Sequence, residues 1–245
     1  CILCITLASG AAAAINMGVD YDIDSQMYRT KNRPTVRGDI HPQNAIIFGI
    51  ILGTFSAIFL GVFANLYAAF WLALSIIFYG YIYTVILKRR TDQNIVIGGI
   101  AGALPPLIGW VCVDTNFHIL PWILVAIIFL WTPPHFWALS LYTANDYQKA
   151  NIPMLVVTKG PEKTRLWILI YTLLLSIPVF APCLYGYLGV VYVGGAIGLQ
   201  SYFLYQAYTL YKYPTLENAK YTFLISIIYL FALFILMIAD RILGF

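Results

Sequence analysis

The sequence predicts an all-α fold, a polytopic transmembrane helix bundle, and three observations carry that prediction. Hydrophobic residues make up 61% of the 245-residue chain and charged residues only 10%, against about 25% charged in an ordinary soluble domain. The mean hydropathy is +0.82. A soluble domain of this size cannot hide so much apolar surface, because a large share of its area must face water. The apolar runs are also long and unbroken, which selects helices over the alternating strands of about ten residues that build a membrane β-barrel. Finally, the basic residues gather in every second connection between those runs.

A hydrocarbon layer about 30 Å thick needs roughly 20 apolar residues per helix. That ruler marks spans at about 1–17, 43–61, 66–87, 93–113, 119–141, 166–185, 187–210 and 221–243, boundaries being good to a few residues. The first, third, fifth and seventh connections and their flanks hold 13 of the 14 basic residues, and only Arg241 falls on the other side. By the positive-inside rule those four connections are cytoplasmic, or on the matrix side in a mitochondrion. The chain opens at Cys1 inside an apolar stretch, and its first span then runs inward. We therefore expect eight helices in this N-terminally truncated fragment and nine in the intact protein. One transmembrane domain, 1–245, with no soluble module is the expected organisation. The basic residues form no nucleic-acid-binding stripe. Cys1, Cys4, Cys112 and Cys183 lie in apolar surroundings and read as packing residues.

The end of the first span is acidic: Asn16-Met-Gly-Val-Asp20-Tyr-Asp22-Ile-Asp24, followed by Arg29, Lys31, Arg33 and Pro34. Asn16, Asp20 and Asp24 are four residues apart, so on a helix they share one face. Carboxylates beside an apolar span are costly unless paired or bound to a cation. Oxygen ligands on one face beside basic side chains suit Mg²⁺ bridging to a diphosphate, with Arg29 and Arg33 neutralising the leaving group. The competing reading is a solvated helix end whose acids pair with Arg29, Lys31 and Arg33. A second polar connection on the same side carries Asp146, Tyr147 and Lys149. Two acidic sites on one membrane face would hold a polyphosphate through metal and leave an apolar tail among the helices. Taken alone, Asp146 reads equally well as a surface ion pair with Lys149.

Two spans contain proline pairs, Pro105-Pro106 and Pro133-Pro134, each of which removes backbone hydrogen bonds and is expected to kink its helix. Broken backbone inside a bilayer is tolerated where it packs against protein or lines a cavity. His135 follows the second pair between aromatic residues. It is able to ligate a heme iron, to bond a propionate or to satisfy a freed carbonyl, and an ionisable residue inside a membrane is a functional candidate by default. His41 and His118 are loop residues without a visible partner. Tyr79, Tyr81 and Tyr83 are candidates to line a cavity in which ring faces steady a carbocation.

The run from Asn16 through Asp20, Asp22 and Asp24 to Met27, Arg29-Thr30 and Arg33-Pro34 resembles the first aspartate motif of the UbiA superfamily of membrane prenyltransferases. Leu87-Lys-Arg-Arg-Thr-Asp-Gln-Asn-Ile-Val-Ile-Gly-Gly99, Trp131-Thr-Pro-Pro-His-Phe-Trp137 and Asp146-Tyr-Gln-Lys-Ala-Asn-Ile-Pro-Met154 resemble its protoheme IX farnesyltransferase (heme O synthase) branch. The resemblance runs from the first helix to the last and implies a nine-helix UbiA-type fold. It implies that heme b, farnesyl diphosphate and water give heme O and diphosphate. It also implies Mg²⁺ on the aspartate motifs, with Asn16, Asp20 and Asp24 as first-motif positions and Asp146 with Lys149 as the second. Arg29, Arg33 and Lys88 would bind the diphosphate and stabilise its departure. The second motif departs from the wider superfamily in carrying one acid, Asp146, where many members carry two or more.

The implied location is a bacterial cytoplasmic (inner) membrane, with the mitochondrial inner membrane as alternative. Heme A synthase or oxidase assembly proteins are the implied partners. A prenyltransferase with a quinone-precursor acceptor, a membrane transporter with kinked helices, and a non-catalytic oxidase assembly factor are the rival readings. The transporter does not account for two acidic sites beside arginines on one face, and the assembly factor predicts that Asp20→Ala and Asp24→Ala leave function intact.

Overall fold

The computed structural model describes residues 1–244, all helix, turn and loop. Eight long helices follow one another: α1 (Ile2–Val19), α2 (Pro42–Phe63), α3 (Leu66–Leu87), α4 (Asn94–Val111), α5 (Ile119–Tyr142), α6 (Gly160–Leu184), α7 (Val190–Lys212) and α8 (Leu216–Leu243). Seven of them are long and apolar enough to cross a membrane; α7 alone falls short. The reason lies in its composition, since Gln200, Gln206 and five tyrosines interrupt its apolar residues. It is nonetheless a continuous 23-residue helix at the eighth expected place.

Helix ends differ from the hydropathy-based boundaries where capping chemistry takes over. Helix α6 starts six residues earlier than expected, with Pro161 in its first turn and Glu162 beside it, both favourable at a helix N-terminus. Helix α8 starts at Leu216 because the Thr215 hydroxyl accepts from the Asn218 amide at 3.0 Å.

The chain divides into two compact units. The first comprises Cys1–Pro121 together with Asn145–Met154. Here α1 and α2 approach closely through glycine: a Cβ on Gly49 would lie 2.7 Å from the Ala11 carbonyl, and one on Gly18 2.6 Å from the Pro42 carbonyl. Small residues are how helices gain contact where lipid offers no hydrophobic drive. Helix α3 changes character midway. Phe78–Leu87 is π-helical, and the Thr84 hydroxyl donates to the Tyr79 carbonyl at 2.8 Å. Such wide turns cluster at functional sites. The Tyr83 ring lies against Gly98 of α4, where any Cβ would sit 2.2 Å from it.

The two proline pairs behave differently. Leu104 separates the halves of α4, Asn94–Ala103 and Pro105–Val111, so the expected interruption is there. Helix α5 instead runs on through Pro133 and Pro134, which corrects the expectation of a break before His135. The Thr132 hydroxyl donates to the Ile128 carbonyl at 2.7 Å within that stretch.

The second unit comprises Trp122–Ala144 and the chain from Leu155 onward. Its interior holds a polar network suited to lipid, where an unpaired group is expensive. Gln200 of α7 donates to the Thr172 carbonyl and the Ser176 hydroxyl of α6, both at 2.8 Å, and accepts from the Tyr229 hydroxyl of α8. At the opposite end of α7, the buried Asp240 carboxylate accepts from the amides of Gly189 (2.7 Å) and Tyr192 (3.0 Å). A residue of α8 thus caps the N-terminus of α7.

Candidate active site

Helix α1 ends at Asp20, yet the four-residue ladder continues through the turn. The Asp20 amide donates to the Asn16 carbonyl at 2.9 Å, and the Asp24 amide to the Asp20 carbonyl at 2.8 Å. Asn16, Asp20 and Asp24 are all buried, with Asp20 at 0% exposure. Carboxylates placed so deeply need cations, and three stand nearby, two of them from a distant part of the sequence. Lys88, just past α3, pairs with Asp20. Arg33 donates to Asp24 at 2.6 Å. Arg89 grips Asp22 with two bonds of 2.8 and 2.7 Å and stands 3.6 Å from the other Asp20 oxygen. The guanidinium holds the Asp22 carboxyl below the usual carboxylate range, and Asp22 in turn raises Arg89 further.

The neighbouring residues fix this cluster. The Asn16 amide donates to Asp20 at 2.7 Å and to the Thr84 hydroxyl at 3.2 Å, tying α1 to the π-helical part of α3. Thr30 donates to the Asp24 carbonyl at 3.1 Å, and Thr35 to the Met17 carbonyl at 3.3 Å, so the loop folds back on the helix end. Buried Asn94 donates to the Lys88 carbonyl at 3.3 Å, holding the turn that aims Lys88.

One oxygen is left over. Asp20 Oδ1 is buried and accepts no hydrogen bond; it faces only the Arg89 guanidinium at 3.6 Å, which leaves room in its coordination for a closer cation. Among the described residues no three His, Cys, Asp or Glu side chains gather as a closed metal cage. One or two carboxylates with an amide and an open remainder is instead how proteins hold Mg²⁺ that also binds phosphate. The residues present fit that ion.

Beside the cluster, within the same unit, an apolar cavity of about 280 Å³ is lined by Ile5, Ala8, Ala12, Tyr79, Gly102 and Pro105 among others. Small side chains on α1 leave the room, and the interrupted α4 supplies one wall, as the Pro105-Pro106 pair predicted. Lining positions on α1 run from Ile5 to Ala13, about 12 Å of helix at 1.5 Å per residue. Of the three tyrosines expected to line a cavity, Tyr79 does so and stacks on Tyr83 at 5.3 Å. Tyr81 instead points outward, 59% exposed, into a groove of about 490 Å³ beside Ile50, Ile58 and Ile77.

The remaining expected site residues fall out as follows. Arg29 is exposed and forms no ion pair among the described residues. Asp146 is half-buried on a short helix, Ala144–Lys149, whose far end carries exposed Lys149. The segment Asn145–Met154 belongs to the unit that contains the first motif. His118 and His41, read as partnerless, are corrected: His118 pairs with Asp114 at 2.7 Å, and His41 accepts from the Gln43 amide to cap α2. His135, in the second unit, lies between Trp131 and Phe223. Asp22 was quoted in the acidic run without a role, and Arg89, Thr84 and Asn94 were not singled out; the dense basic triplet Lys88-Arg89-Arg90 was the signal that pointed to Arg89.

Comparisons with known proteins agree with this geometry. The model of the UbiA prenyltransferase family matches residues 1–238. The protoheme IX farnesyltransferase of Rhodopseudomonas palustris strain BisB18 is 46% identical over 243 residues, 98% of this chain and 78% of that protein. That of Azorhizobium caulinodans is 47% identical over 245 residues, 98% and 79% of the two chains. Among solved structures, that of a digeranylgeranylglyceryl phosphate synthase superposes with a TM-score of 0.79 at 20% identity, covering 96% of this chain and 81% of its own. The apo structure of a UbiA homolog from Aeropyrum pernix K1 gives 0.74 at 18%, covering 97% and 85%. These two share the fold. With its acidic helix end, apolar cavity and membrane helices, this chain belongs to the UbiA prenyltransferase family.

Proposed function

We propose that this chain transfers the farnesyl group of farnesyl diphosphate to a vinyl group of heme b with addition of water, releasing heme O and diphosphate. The observation that carries the chemistry is the buried Asp20 carboxylate, with one oxygen unbonded, among Lys88, Arg89 and Arg33. The acceptor follows from relatives at 44–47% identity that bear the name protoheme IX farnesyltransferase. We assign the protein to a bacterial cytoplasmic membrane, as its relatives are bacterial, with the acidic connections facing the cytoplasm.

Asn16, Asp20 and Asp24 would hold Mg²⁺, with Asp146 as a further carboxylate from the second motif. When bound, the ion supplies positive charge that stabilises the departing diphosphate. At rest the acids occupy the bases. The carboxylates would hold the ion, and Lys88, Arg89 and Arg33, released from them, would bind phosphate oxygens. Arg29 and Lys149, exposed beside the two motifs, add charge as the anion enters. The allylic C–O bond then breaks with its electron pair going to diphosphate, where these cations meet the growing charge. The vinyl π electrons form the new C–C bond. Water adds to the resulting cation and loses a proton, leaving the hydroxyl. The cavity keeps the prenyl chain apart from water until that step.

The test is heme chromatography on cells lacking their own heme O synthase that express this protein. Heme O is expected with wild type and lost with Asp20→Ala plus Asp24→Ala at equal protein level. Absence of heme O from well-folded wild type would move the reading to another prenyl acceptor. Heme O from both would displace the metal from the first motif.

A further inference from the structure

We infer that His135 is an axial ligand to the iron of heme b, through a ring nitrogen whose lone pair the fold has prepared. The inference rests on heme as the acceptor and assigns the side chain that holds it. The imidazole is gripped on both faces, by Trp131 at 4.3 Å between centroids and 19° between planes, and by Phe223 at 4.6 Å and 25°. Its Nδ1 lies 2.7 Å from the Ser226 hydroxyl. That hydroxyl donates its own proton to the Phe223 carbonyl at 2.6 Å. With its single hydrogen spent, Ser226 Oγ offers only lone pairs to the ring, so His135 Nδ1 carries the proton and donates it. The tautomer follows: Nε2 is left unprotonated. Trp131 reinforces the arrangement by donating its indole N–H to the Ser226 carbonyl at 2.8 Å.

Only one of the two ring nitrogens of His135 is bonded. Here the residue is only 9% exposed, and Nε2 makes no hydrogen bond among the described residues. A neutral imidazole with one N–H anchored to an oxygen and the other nitrogen bare is how proteins present histidine to a metal. Iron is the metal that this substrate brings. The two stacked rings fix the orientation of the imidazole. The other two histidines of the chain are engaged elsewhere, His41 as a helix cap and His118 with Asp114.

The experiment is a titration of the purified, detergent-solubilised full protein with ferric heme b, read by absorption and electron paramagnetic resonance. Wild type is expected to give a histidine-ligated spectrum that His41→Ala and His118→Ala leave unchanged. His135→Ala should lose it, and free imidazole entering the vacated slot between the two rings should restore it. Ser226→Ala, which releases the tautomer, should weaken heme binding by about ten- to a hundred-fold. A wild-type spectrum retained by His135→Ala overturns the assignment, as does a lost spectrum that imidazole does not bring back. The titration reads no product, so it separates the two claims. Heme O formation with a His135-independent spectrum removes the ligand and keeps the transferase, whereas a His135-dependent spectrum without heme O does the reverse.

Discussion

Asp20 and Asp240 are both fully buried aspartates at helix ends, and they solve the same problem in opposite ways. Asp240 spends both oxygens on backbone amides at the start of α7. Its partners are fixed by the fold and have nothing to exchange. Asp20 is held by side chains, Lys88 and Asn16, with Arg89 3.6 Å away, and one of its oxygens has no hydrogen bond. Burial of a charge therefore does not by itself mark a site. What distinguishes Asp20, the acid proposed for the site, is that its partners are side chains, a lysine among them, and that one of its oxygens has no hydrogen bond.

The sharpest way to break that contrast is to neutralise each acid. Asp20→Asn is expected to lower heme O formation by about a hundred- to a thousand-fold, the scale of losing one group that stabilises transition-state charge, with thermal stability near wild type. Asp240→Asn should do the converse. Turnover per folded molecule stays within about two-fold while stability falls by roughly 1–3 kcal/mol, as for a lost charge-assisted cap. Thermal unfolding in detergent alongside product assay reads both, and equal activity losses would erase the distinction. A smaller effect is expected from Ala12→Phe, which fills the cavity beside the cluster. The preference should shift from farnesyl toward geranyl diphosphate by about ten-fold or more in kcat/KM, measured by competition between the two. Arg89→Lys keeps the charge but loses the two-pronged grip on Asp22. Roughly five-fold weaker diphosphate affinity is expected from that loss, visible as raised KM with kcat little changed.

The smallest effect concerns pH. Asp22 is depressed by Arg89, so the stabilisation from their pair is complete above the free aspartate value of about 3.9 and disappears only as pH falls through the lower folded value. Stability measured from pH 5 to 8 should therefore be the same for wild type and Asp22→Asn in its slope, and the two should converge only in strong acid.

Much of this was legible before any coordinates. Hydropathy located all eight helices, because lipid imposes length on each, but it missed the starts of α6 and α8, which Pro161 and Thr215 set by capping. That Asn16, Asp20 and Asp24 share one face at a helix end was legible in their spacing, since a four-residue repeat has direct meaning on a helix. Arg89 and Thr84 were not, because they reach the motif across 67 and 68 residues of chain, and no local pattern encodes such a meeting. The π-helical turns of α3 are likewise silent: nothing in Phe78–Leu87 marks them. Proline was read too uniformly. The same dipeptide divides α4 at Leu104 yet sits inside an uninterrupted α5, so whether it breaks a helix depends on its surroundings.

The six charges joined by ion pairs at the end of α1 and α3, Asp20, Asp22 and Asp24 with Arg33, Lys88 and Arg89, sum to zero. A neutral resting pocket has little attraction for magnesium alone, which finds its carboxylates occupied, or for a free phosphate, which finds its lysine and arginines occupied. Either ligand, once bound, releases the counter-charges that the other requires. On the proposed reading the two binding events would be reciprocally coupled, each raising the affinity of the other by the same factor. Preference for a magnesium-bearing diphosphate over simpler ions would then follow from the charge balance, before any contact with the prenyl chain.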